Sequence, residues 1–132
     1  MKDVFELAYR YVVPSVRSVL TRELIKRGML ERKAAELLGL SCSAVSRYSN
    51  AERGSTINVA RFKDVLQLIE KLAEDMTHNE LDEYEVQEEI IKIAAYFMSK
   101  KYFCKFHSKI DSKIDIARCK ICPTVFVSKG TN

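Results

Sequence analysis

An all-α fold is predicted by three features of the sequence read together. Glycine and proline are scarce, four and two in 132 residues. Apolar residues recur at helical rather than alternating spacing along most of the chain, and no internal repeat or low-complexity segment interrupts them. The expected order is a helix-turn-helix domain over residues 1–75, followed by a long helix and a small metal-bound tail over residues 76–132.

The first helix is expected over about residues 3–27. Val12, Val16, Val19, Leu20, Leu24 and Ile25 form an apolar stripe, and Gly28 is placed to stop it. Pro14 is a candidate break, because a proline inside a helix loses a hydrogen bond and crowds the preceding turn. Phe62, Val65, Leu66, Ile69, Leu72 and Ala73 mark a later helix. The last long one is expected from about Glu80 to Lys101, with Val86, Ile90, Ala94, Phe97 and Met98 on one side. Thr77 and Glu80 have the spacing of a capping box for it.

Between these lies ERKAAELLGLSCSAVSRYSN, residues 31–50. A short helix from Arg32 to Leu38, a turn at Gly39 and a second short helix from Cys42 to Tyr48 meet the requirements of a helix-turn-helix. Ala35 is small where the second helix crosses the first, and Gly39 supplies the positive φ that ends the first helix within few residues. Leu40 is an apolar plug under the turn. Ser41 is placed to cap the second helix, and Val45 faces the core.

Residues 12–54, with the turn LLGLSCSAVSRY, resemble the helix-turn-helix of the Cro/repressor-like (XRE) superfamily. More closely, the chain is similar to small archaeal predicted transcriptional regulators that carry such a domain followed by Cys/His pairs near the C-terminus. The resemblance implies a Cro/repressor-like bundle and DNA binding. Members of that group often have a further Cys-x2-Cys just before the tail. Here the corresponding AAYFMSKKYF has none, so at most four tail ligands remain.

In such a motif the second helix lies in the major groove with its N-terminal residues toward base edges. Cys42, Ser43, Ser46 and Arg47 are the candidates for that face. Arg47 can give bidentate hydrogen bonds to guanine, and the serines can donate or accept. Ser41, Lys33 and Arg53 suit phosphates. Cys42 is open to two readings: a small side chain tolerated there, or a thiolate favoured by the helix dipole and sensitive to oxidation.

The tail reads CKFHSKIDSKIDIARCKICP over residues 104–123. Cys104 and His107, then eleven residues, then Cys119 and Cys122, form two x2 pairs, each able to act as a chelating knuckle about one tetrahedral ion. The segment between them is polar with isolated isoleucines, and a metal would give it a core. Zinc is favoured for a Cys3His set. An iron–sulfur cluster is the alternative, since its ligands are also thiolates and Pro123 follows the last cysteine as in many ferredoxin runs. His78 stands apart, beside a helix start.

Charge is unevenly distributed. Residues 1–63 carry 12 basic and 6 acidic side chains, residues 64–98 carry 2 and 10, and residues 99–132 carry 8 and 2. The basic blocks suit a polyanion; the acidic middle is expected to point away from it or to pair with the tail. No apolar run approaches the roughly 20 residues of a membrane span, and the N-terminus lacks the pattern of a secretory signal. A cytoplasmic protein follows, in a reducing compartment where clustered cysteines bind metal more often than they pair. No catalytic motif appears and no small-molecule substrate is implied, so an enzyme is not expected. The expected partners are double-stranded DNA and a second copy of the chain. The competing reading is a non-enzymatic interaction module that uses the helix-turn-helix as a scaffold and docks a partner protein through the metal tail.

Overall fold

The computed structural model describes residues 2–78 and 81–126, and the regular structure among them is helical throughout. Helix α1 (Val4–Leu7) runs through a π-helical turn (Ala8–Val12) into α2 (Val13–Lys26). Asp3 caps the start by accepting from the Glu6 N–H at 2.9 Å. Pro14 does not split the helix. It sits in the first turn of α2, directly after the π turn. The wider turn accommodates both the missing donor and the bulk of the ring. At the other end Gly28, at φ +94°, closes a Schellman motif: Met29 N–H donates to Leu24 O at 3.0 Å and Gly28 N–H to Ile25 O at 2.9 Å.

The apolar stripe does bury α2. Val12, Val16, Leu20 and Leu24 are wholly enclosed and Val19 nearly so, whereas Ile25 is only half-buried. Each fully enclosed aliphatic side chain contributes about 1.5–3 kcal/mol, and α2 becomes the central helix, packed by α4 (Cys42–Ser49), α5 (Lys63–His78) and α6 (Glu83–Ser99). Helix α3 (Glu31–Leu38) packs on α4 and α6. Short helices α7 (Cys104–Ile110) and α8 (Ile121–Val125) follow.

The start of α6 differs from expectation. Thr77 lies inside α5, its hydroxyl donating to the carbonyl oxygens of Ala73 and Glu74. Glu80 lies outside the described residues. The capping box belongs to Asp82, which accepts from Glu85 N–H at 2.8 Å while Glu85 accepts from Asp82 N–H at 2.9 Å. A carboxylate five residues beyond Thr77 is the better cap because it meets the helix dipole with a full charge.

Buried apolar side chains from Val4 to Cys122 form one continuous cluster that crosses residues 75–76 without a break. Gln87 of α6 shows how the spans interlock: its side-chain amide donates to Leu38 O, the last carbonyl of α3, at 3.0 Å.

Candidate nucleic-acid interface and Cys/His cavity

The α3–α4 unit is built as its residues require. Gly39 takes φ +66°, and Leu40 N–H donates to Ala35 O at 2.9 Å to close the turn. Ser41 caps α4 by accepting from Ala44 N–H at 3.1 Å, and its hydroxyl lies 3.2 Å from that of Ser43. One face of α4 is locked inward: Val45 is fully buried, Ala44 and Tyr48 nearly so, and Ser18 of α2 donates to Tyr48 O at 3.0 Å. This places Tyr48 in the core.

Cys42, Ser43, Ser46 and Arg47 share the opposite face; all are exposed but Ser46, which is half-buried. Arg47 has no ion-pair partner among the described residues. Lys33 is exposed on α3 and pairs weakly with Glu36 at 3.4 Å. Arg53 is exposed beyond α4, its guanidinium 5.9 Å from the Tyr48 ring centroid. The acidic stretch is not wholly remote from this unit, because a Cβ added to Gly39 would overlap the Glu83 carboxylate.

The loop after α4 is pinned to α2. Ser15 Oγ donates to Ile57 O at 2.9 Å and accepts from Val59 N–H at 3.1 Å. Gly54, at φ +70°, lies so close to the Pro14 carbonyl that any Cβ would collide with backbone.

In the tail, Cys104 and His107 occupy successive turns of α7, and Cys122 lies in α8; all three are buried. Cys119 is half-buried in the turn before α8. All four line one cavity of about 300 Å³, walled mainly by apolar side chains including Phe103, Ile114, Ile121 and Val125, with Val4 and Phe5 contributed by α1. Among the described residues no three Cys, His, Asp or Glu side chains are drawn together tightly enough to hold a metal ion. The donor types nevertheless match those of a Cys3His set, whose thiols would have to lose their protons on binding. His107 Nε2 is buried without a hydrogen-bond partner. Burial pushes the His107 pKa down, against Asp111, so that the imidazole is neutral as a ligand must be. Burial pushes the Cys104 thiol up, opposed by the Lys101 cation, and pushes Cys122 up to about 11.

No protein-family profile, curated protein or solved structure matches this chain.

Two side-chain joints outside these residues carried no sequence signal. Lys101 adopts φ +64°, a left-handed conformation rare for lysine, and its ammonium donates to Ile116 O at 2.6 Å and Cys119 O at 2.7 Å. Asp64 accepts from the hydroxyls of Tyr96 at 2.6 Å and Tyr102 at 2.8 Å, joining the start of α5 to α6 and the tail. Its carboxyl is held below the usual range, first by the Tyr96 hydroxyl, with burial opposing and Tyr102 and backbone N–H groups assisting. Tyr96 is correspondingly pushed up to about 12.

Proposed function

We propose that the chain is a sequence-specific DNA-binding transcriptional regulator of the Cro/repressor-like kind, acting as a homodimer. The observation that carries this reading is the division of α4 into an anchored face of Ala44, Val45 and Tyr48 and an exposed face of Cys42, Ser43, Ser46 and Arg47. A helix held this way can enter the major groove without disturbing the core, with Arg47 positioned for guanine and the serines for neighbouring bases. Lys33, Ser41 and Arg53 flank that face as phosphate contacts. The exposed pair between Lys33 and Glu36 costs little to break, about 1 kcal/mol or less.

Cys104, His107, Cys119 and Cys122 would hold a metal, with zinc favoured and an iron–sulfur cluster as the alternative. When bound, zinc supplies a rigid crosslink between the tail helices, whereas a cluster supplies redox sensitivity. The chain's own contribution is to keep His107 neutral, to wall the cavity with apolar side chains, and to hold the second knuckle in place through Lys101.

The test is binding to duplex DNA as a function of salt. Specific affinity that falls steeply with salt is expected, and absence of binding at low salt would sink the reading. Metal content and the visible spectrum of protein purified without oxygen decide the tail. Colourless protein with about one zinc per chain marks a structural site, and brown protein with iron and acid-labile sulfide marks a cluster.

A further inference from the structure

A cavity of about 530 Å³ lies between the loop of residues 55–62 and helix α7. It falls within the range of small-molecule sites, roughly 300–1,000 Å³. Its charged side chains are all cationic. Arg61 enters from the loop side and Lys105 and Lys109 from α7, and no Asp or Glu lines the cavity. None of the three cations has an ion-pair partner among the described residues. Asn58 also lines the cavity, its side-chain oxygen accepting from Ala60 N–H at 3.0 Å.

Behind these groups stands an aromatic wall. Phe62 and Tyr102 are stacked at a centroid distance of 4.0 Å, and Phe106 adds a third half-buried ring. The Tyr102 hydroxyl is already committed to Asp64, so Tyr102 offers the cavity chiefly its ring. Cationic side chains and half-buried rings lining one cavity match a ligand with an anionic group on a planar ring.

We propose that this cavity binds a nucleotide-class ligand, its phosphate held by Arg61, Lys105 and Lys109 and its base against Phe62, Tyr102 and Phe106. The site stands independently of the DNA-binding reading. It joins two parts of the molecule: the loop is pinned to α2 through Ser15, and α7 also carries Cys104 and His107. An occupant therefore contacts both the helix-turn-helix half and the tail.

The experiment is titration calorimetry of the full-length protein with AMP, beside inorganic phosphate, adenosine and a short single-stranded oligonucleotide. Tyrosine fluorescence is a second readout, since the chain has no tryptophan and Tyr102 lines the cavity. Saturable AMP binding is expected, with phosphate and adenosine each at least about tenfold weaker because each lacks one half of the match. The Lys105→Ala/Lys109→Ala variant, altered only at exposed positions, is expected to bind AMP at least about tenfold more weakly with an unchanged helical circular-dichroism spectrum. Lys113→Ala, on the same basic tail but outside the cavity, is expected to bind like the parent. No saturation by AMP near 1 mM, equal affinity for phosphate alone, indifference to the lysine pair, or binding of the oligonucleotide in place of AMP would each overturn the proposal.

Discussion

The ammonium of Lys101 donates to the carbonyl oxygen of Cys119 at 2.7 Å, across 18 residues of sequence. The same ammonium donates to Ile116 O at 2.6 Å. Lys101, at φ +64°, follows the C-cap of α6, its N–H donating to Met98 O at 3.0 Å, and its side chain adds the two bonds to the tail. Lys101→Met removes both bonds while keeping the apolar stem. Amide exchange over residues 111–120 and alkylation of Cys119 are both expected to accelerate, with α3 and α4 unchanged. Exchange identical to the parent would show that the clamp contributes nothing.

Asp64 makes a pH-dependent joint. Its folded pKa lies below the ordinary 3.8, so the stabilisation is complete above the unfolded value and is lost as pH falls through the folded one. Stability is therefore expected to decline on the acid side, below about pH 4, in the parent. Asp64→Asn keeps an acceptor for Tyr96 and Tyr102 but removes the charge. It is expected to cost about 1 kcal/mol at neutral pH, a figure reduced for partial exposure, and to flatten the acid limb. Denaturant melts of the two proteins from pH 3 to 7 check this. Parallel pH profiles would mean that the charge is irrelevant.

Two neighbouring positions with positive φ should respond in opposite directions. Gly54→Ala places a methyl against the Pro14 carbonyl and is expected to lose about 2 kcal/mol or more. Ala51, at φ +60°, ends α4 in a Schellman closure, with Glu52 N–H donating to Arg47 O at 2.8 Å. Ala51→Gly relieves that backbone and is expected to gain up to about 1 kcal/mol. Thermal melts of both variants measure the contrast, and a destabilised Ala51→Gly would contradict the strain argument.

Arg47 separates base reading from charge. Arg47→Ala is expected to cost about 1–3 kcal/mol of discrimination between specific and random duplexes, with a smaller loss of non-specific affinity. Competition binding at fixed salt gives both numbers. An equal fall in the two would make Arg47 a phosphate contact only.

The α3–α4 unit was legible because its signals act over a few residues. Gly39 needs its left-handed φ, Ser41 reaches Ala44 N–H three positions away, and Val45 faces inward by helical period. Helix existence was readable for the same reason. The start of α6 was harder to place, since Thr77 and Glu80 offered the same short pattern as Asp82 and Glu85, and only the latter pair closes as a cap. Pro14 was readable as a disturbance, but its accommodation behind a π-helical turn was not.

By itself, then, the sequence determined the existence of the helices from α2 to α6, the α3–α4 turn, the alternating basic and acidic blocks, and the paired spacing of Cys104, His107, Cys119 and Cys122, but not the short helices α7 and α8. Tertiary structure decided which distant groups meet: Gln87 on the end of α3, Asp64 between two tyrosines, Lys101 over the Cys119 turn, and Arg61 opposite Lys105 and Lys109. The physical reason is range. Caps, turns and helical periods arise from steric and hydrogen-bond terms within about one helical turn, whereas these joints link groups separated by up to 49 residues and form only when one shared core fixes their approach.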